Sequence, residues 1–259
     1  MIRLTKSYLK FLWKSKNEHG VHSPFIFDLI TKCFYDKTIY SEYSILTLYR
    51  KSLLANKNFI EVTDFGAGSR VFKSNKRQIS KIAKTAGISK KRAQLLFRIV
   101  LYFQPKNILE IGTSLGLATS ALSLGNKNSK IITLEGCSNT VNKCRLELQK
   151  FNCNNIIVIN KEFSNYLKSE KLKTETYDLI FFDGNHSKTA TLAYFELLLP
   201  TITNNSIWIF DDIHWSLEME NTWEFIKIHY KVTATIDCFR WGIVFFRAEQ
   251  KKEHFVIRI

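Results

Sequence analysis

From residue 106 onward, apolar runs of strand length alternate with amphipathic stretches of helix length, and this alternation leaves few folds open. KNILEIG (106–112), KIITLEG (130–136), NIIVIN (155–160), YDLIFFDG (177–184) and SIWIFDDI (206–213) read as strands. Helical patterns follow them: LGLATSALSLG (115–125), SNTVNKCRLELQKF (138–151), KEFSNYLKSEKL (161–172), SKTATLAYFELLLP (187–200) and SLEMENTWEFIKIHY (216–230). Strands that are apolar throughout belong in a parallel sheet covered by helices on both faces. Right-handed crossovers then bring the C-terminal ends of the five strands to one rim, where such folds bind ligands. VTATIDCF (232–239) and WGIVFFR (241–247) are separated by almost nothing, which predicts an antiparallel hairpin at one edge of the sheet.

Residues 1–105 read differently. They are mainly helical, with KRAQLLFRIVLYF (91–103) as an amphipathic segment stopped before Pro105. They hold 20 Lys and Arg against 6 Asp and Glu, whereas residues 106–259 hold 18 against 17, so nearly all of the net +15 lies in the first part. Two domains are expected, a basic helical region at 1–105 and an α/β domain at 106–259. The charge offers a surface to an anionic partner such as nucleic acid, a phosphorylated substrate or a membrane. The lysines alternate with apolar residues, which favours ordinary solvated helix faces. Residues 2–16 read as a basic amphipathic helix packed on the body of the protein or on a partner subunit, with a membrane surface as the competing reading.

With 259 residues, 45% hydrophobic and 14% aromatic, the chain needs no staple to fold and is not disordered. Its five cysteines form no C-x-x-C pair, so reduced thiols are expected. No signal-peptide core and no membrane span is visible, so a cytoplasmic location is expected.

The chemistry concentrates at strand ends. The first strand runs into Glu110-Ile111-Gly112-Thr113-Ser114-Leu115-Gly116, where two glycines allow bare backbone to approach a ligand. The second strand ends at Glu135, 23 residues after Gly112, where a carboxylate can accept both hydroxyls of a ribose. Together they point to a nucleoside-containing cofactor. G-T-S-L-G (112–116) also fits a hydrolase nucleophile elbow on Ser114, but that reading leaves Glu135 unexplained. Strand four ends at Asp183 with His186 three residues on, and strand five ends at Asp211 and Asp212. Like charges about 4 Å apart repel by roughly 4 kcal/mol at an effective dielectric of about 20, so converging carboxylates call for a cation, a proton or strong hydrogen bonds. Oxygen ligands suit Mg²⁺ or another divalent ion, which would lower the pKa of a bound hydroxyl, and His186 is placed to take its proton. His214 is more simply a structural histidine.

These residues resemble a class I S-adenosylmethionine-dependent methyltransferase over 106–247. The resemblance implies a Rossmann-like seven-stranded α/β sheet, mostly parallel with an antiparallel C-terminal hairpin. It places the methionine part of S-adenosylmethionine on Glu110, Gly112, Thr113, Ser114 and Gly116, the ribose on Glu135, and adenine on the 160–162 loop with Glu162. D-G-x-H followed by D-D is similar to metal-dependent O-methyltransferases of the macrocin and catechol types. That likeness implies metal ligands at Asp183, Asp211 and Asp212, a catalytic base at His186, Asp183 also near the cofactor, and a small-molecule hydroxyl acceptor such as a sugar, catechol or natural product. Gly184 and His186 depart from the catechol type. Neither a Pro-Cys nucleophile nor a [DN]-P-P-[YF] sequence of base-modifying enzymes occurs. An RNA methyltransferase gripping through the basic N-terminal region, and a non-catalytic module on the cofactor fold, are the alternatives. A homodimer is compatible with the sequence. DFGAGS (64–69) is a second glycine-rich loop, read as a lid or substrate loop, and HSPF (22–25) is a lid or an ordered loop.

Overall fold

A computed structural model describes residues 2–65, 68, 72–169 and 175–259. The chain divides into two compact units, a terminal one of Met1–Tyr35 with Leu167–Ile259 and a central one of Asp36–Tyr166. The division cuts across the expected 105/106 boundary. Helices within residues 1–35 fall in the terminal unit and those within 36–105 in the central one.

In the terminal unit, α1 (Ile2–Lys14) buries Phe11. Tyr8 and Phe11 pack on Phe239 with ring centroids 4.8 and 5.4 Å apart. The amphipathic pattern thus serves to seat the helix on its own chain. HSPF is a helix start: Ser23 caps α2 (Pro24–Leu29) by accepting from the Ile26 N–H at 3.3 Å, and Pro24 takes the first turn, where its missing N–H costs nothing.

In the central unit, α3 (Glu42–Ala55) leads to a small antiparallel pair, β1 (Phe59–Glu61) and β2 (Lys76–Gln78), then α4 (Ile79–Thr85) and α5 (Lys90–Phe103). Residues 66, 67 and 69 of the 64–69 loop, read as a lid or substrate loop, lie outside the described residues. Helix α5 ends with Gln104 in the left-handed conformation (φ 47°), just before Pro105. Then come β3 (Asn107–Ile111), α6 (Leu117–Gly125), β4 (Lys130–Glu135), α7 (Ser138–Lys150), β5 (Ile156–Asn160) and α8 (Phe163–Leu167). The three strands pair in parallel in the order β3-β4-β5. Helices α5 and α6 meet closely: a Cβ at Gly125 would lie 2.6 Å from Val100 Cβ. β3 and β4 are almost wholly buried, whereas β5 alternates and exposes Ile157, as an end strand does. Of the helix expected at 161–172, α8 forms Phe163–Leu167, Lys168 and Ser169 are a turn and a bend, and residues 170–172 lie outside the described residues.

The terminal unit resumes with β6 (Leu179–Phe182), α9 (Lys188–Leu198), β7 (Ile207–Asp211), α10 (Leu217–Ile228), β8 (Ala234–Asp237), β9 (Trp241–Phe245) and β10 (Glu253–Val256). β6 and β7 are parallel, and β9 pairs antiparallel with both β7 and β8, so the expected hairpin is present. It does not form the edge, however. β10 adds in parallel beside β8, and Lys16 bridges to Ile257 beyond it. The parallel and antiparallel strands therefore number eight in β3–β10, one more than the seven expected. The EHFV stretch is too short and polar to announce a strand. The architecture is α/β and mostly parallel with an N-terminal helical part, as the sequence implies. Among the described residues no helix is long and apolar enough to cross a membrane, and the five cysteines are buried and form no disulfide.

Candidate active site

The turn after β3 is shaped by three positive φ angles: 105° at Gly112, 48° at Ser114 and 78° at Gly116. The N–H groups of Gly112 and Thr113 donate to Leu134 O at 3.1 and 3.0 Å, which ties the turn to the end of β4. There the Glu135 carboxylate accepts from the Ser114 N–H at 3.0 Å and from the Cys137 N–H at 2.9 Å. The glycine turn and the acid are thus one assembly. Burial raises the Glu135 carboxyl above its ordinary range, the Cys137 and Ser114 N–H groups oppose that, and Asp64 adds to it.

Behind the turn Glu110 is fully buried, with Oε2 accepting from Thr119 and Thr133 at 2.6 Å each. Thr113 and Thr133 hydroxyls are 2.6 Å apart, so Thr113 joins the same network. Burial pushes the Glu110 carboxyl up to about 7 despite the two hydroxyl donors, and Oε1 has no partner. Buried polar atoms are rarely left without a partner, so an orphaned oxygen behind a glycine turn is what a bound polar group would satisfy.

Tyr49 of α3 was not among the residues that the sequence singled out. It is fully buried and donates to Leu115 O at 2.9 Å. A Cβ at Gly116 would meet its Oη at 2.5 Å, so the glycine is required by packing as well as by φ. A Cβ at Gly136 would likewise meet Phe65 at 2.6 Å, which sets the start of the 64–69 loop beside the acid-bearing end of β4. Asn160, at the end of β5, donates to the Glu135 and Gly136 carbonyls at 2.9 Å each. Glu162 lies at the start of α8, and its carboxylate accepts from Ser164 at 2.6 Å and Asn165 at 2.9 Å. Only the glycine spacing signalled any of these neighbours, because which side chain fills a tight approach depends on distant packing.

In the terminal unit, β6 delivers Asp183, β7 delivers buried Asp211, and the loop before α9 delivers His186. One ligand atom from each lies within 4.8 Å of the others, and His186 Nε2 is 3.8 Å from Asp183 Oδ1. Asp212 is not in this set. Its backbone turns through φ 54° and its Oδ1 meets Arg240 Nη1 at 3.2 Å. Successive residues at a strand end project to opposite sides, and the left-handed turn at Asp212 completes the separation. The two carboxylates can offer oxygen ligands to a divalent ion whose remaining positions are water or substrate, which leaves the imidazole beside them able to act as a base. His214 lies elsewhere, between Asp237 at 2.9 Å and Glu220 at 3.2 Å and stacked on Phe239. Arg3 donates to the His214 and Trp215 carbonyls and pairs with Glu220 at 3.1 Å, so this histidine belongs to the seat of α1.

Residues 109–213 match a family described as "Methyltransferase domain". No curated protein sequence matches the chain. An O-methyltransferase from Bacillus cereus solved with SAH is 19% identical over 83% of this chain and 94% of that one, with a TM-score of 0.56. The SAH-bound methyltransferase PaMTH1 of Podospora anserina is 15% identical over 88% and 97%, at 0.60. A putative O-methyltransferase from Klebsiella pneumoniae is 16% identical over 84% and 95%, at 0.56. At these identities the likeness is one of fold, and it spans both units. The chain is therefore similar to methyltransferases in the sequence of residues 109–213 and in fold.

Proposed function

We propose that the chain is a cytoplasmic S-adenosylmethionine-dependent O-methyltransferase acting on a small-molecule hydroxyl, with a divalent ion held by Asp183 and Asp211. The observation that carries the cofactor reading is the Glu135 carboxylate bonded to the Ser114 N–H of the glycine turn. Each carboxylate oxygen of Glu135 keeps a further lone pair for a ribose hydroxyl after accepting from Ser114 and Cys137. Gly112, Thr113, Ser114 and Gly116 line the methionine part, the orphaned Oε1 of Glu110 accepts from its polar end, and the 160–162 loop with Glu162 flanks adenine. The relatives in B. cereus and P. anserina hold SAH, which supports the same ligand here.

The bound cofactor supplies an electrophilic methyl group on a sulfonium. A divalent ion at the Asp183 and Asp211 carboxylates would lower the pKa of the acceptor hydroxyl. His186 Nε2 accepts the hydroxyl proton, and the Asp183 carboxylate at 3.8 Å stabilises the imidazolium that results. The acceptor oxygen is thereby made nucleophilic without a buried alkoxide standing unpaired.

Calorimetry with SAH tests the cofactor half. Wild type binds, and Glu135→Ala weakens binding about tenfold or more, since a hydrogen bond to a charged group contributes roughly 1.5–3 kcal/mol. Absence of SAH binding by folded wild type, or unchanged binding in the variant, overturns it. Methyl transfer that survives EDTA and Asp211→Ala together would remove the ion and leave the cofactor site standing.

A further inference from the structure

The loop at residues 36–41, α3 and α5 enclose an open cleft of about 1020 Å³ in the central unit. Lys37 comes from the loop, Lys51 from α3, and Lys90 and Arg98 from α5. Lysines on a single helix face diverge into solvent, whereas these four cations reach one concavity from three separate elements. The opposing acid, Asp36, accepts from the Thr38 N–H at 2.8 Å and the Tyr40 hydroxyl at 2.7 Å. Four basic residues therefore share the lining with one acid, Asp36, whose carboxylate also feels the Arg98 charge.

The walls are preorganised. Arg98 Nη1 donates to the Tyr43 hydroxyl at 3.0 Å, which fixes the guanidinium. The Tyr40 and Tyr43 rings meet edge to face at 5.4 Å, and each packs on Phe97, at 5.2 and 5.5 Å. A held guanidinium suits a phosphate, and rigid aromatic faces suit a flat apolar body. The cleft is large enough to take a small molecule.

We propose that this cleft binds a small phosphate monoester with an aromatic body, its phosphate among Lys37, Lys51, Lys90 and Arg98 and its ring against Tyr40 and Tyr43. The site does not depend on the methyl-transfer reading. The test is calorimetry on the full chain with phenyl phosphate, a probe that contains no adenosine and so does not mimic the methyl donor. Phenyl phosphate is expected to bind about tenfold more tightly than inorganic phosphate, while neutral benzyl alcohol does not bind. The triple variant Lys37→Ala, Lys51→Ala, Lys90→Ala changes exposed side chains only. It should weaken phenyl phosphate about tenfold or more with the unfolding midpoint unchanged. No phenyl phosphate binding by folded wild type, or binding indifferent to the triple variant, overturns the proposal. So does tighter binding of a short single-stranded RNA that the same variant abolishes, which would assign the cleft to a polynucleotide.

Discussion

Replacing Gly116 separates two reasons for a glycine that usually act together. Its φ is +78°, and an added Cβ would lie 2.5 Å from Tyr49 Oη and 2.8 Å from Cys144 Sγ. The left-handed backbone costs a non-glycine residue about 1–2 kcal/mol, and overpacking a filled site adds about 1–3 kcal/mol. Gly116→Ala should therefore lower stability by about 2–5 kcal/mol, a large part of the roughly 5–15 kcal/mol of a typical domain. Gly68 is the control: its φ is +76° but among the described residues nothing lies within 4 Å of its Cβ position, so Gly68→Ala should lose no more than about 1–2 kcal/mol. Tyr49→Phe removes the nearer obstacle and the bond to Leu115 O, at a cost of about 1–3 kcal/mol if that carbonyl stays unsatisfied. In the double variant the alanine no longer meets a hydroxyl, although Cys144 still stands in its way. The two changes should then cost about 1–2 kcal/mol less than their sum. Urea unfolding at constant pH reads wild type and the four variants, with equal slopes confirming that midpoints report stability. A Gly116→Ala protein as stable as wild type, or strictly additive single changes, would refute the claim that Tyr49 presses on the glycine turn.

Mn²⁺ titration distinguishes the two neighbouring acids: Asp211→Asn should weaken binding about tenfold, whereas Asp212→Asn, whose carboxylate pairs with Arg240, should leave it within about threefold. Equal losses would return Asp212 to the ligand set. Burial disfavours a charged His214, but Asp237 and Glu220 outweigh it and raise its pKa above 6.5. A raised folded-state value means stability fully present below the unfolded value and lost as pH rises through the folded one. His214→Ala should remove that decline in thermal midpoint above about pH 6.5; a slope that persists in the variant would place its origin elsewhere. Glu110, pushed up to about 7 from 4.5, has the same sign, so stability should fall between those values and Glu110→Gln should flatten the fall. An unchanged pH profile for that variant would mean that Glu110 stays ionised when folded.

The strand ends were legible because their signals are local. A run such as LEIG buries its apolar side chains and turns on its glycine whatever surrounds it. The acid ending β4 needs only the strand's length to be located. The segments that failed to announce themselves are those whose state is set by a neighbour. EHFV becomes a strand only where β8 offers it an edge to pair with. HSPF reads as a loop until Ser23 is seen capping α2.

Asp211 and Asp212 show the limit most clearly, because adjacent acids are equivalent as letters. A single left-handed φ sends one toward Asp183 and His186 and the other to Arg240, 28 residues away in sequence. Periodicity and turn chemistry, which act over a few residues, determined the α/β order, the glycine turn and the positions of its acids. Tertiary structure alone decided that Tyr49 braces the turn, that the N-terminal helices divide between two units, and which acids meet. Those outcomes depend on close packing between residues far apart in the chain, and no short-range pattern encodes the distance between them.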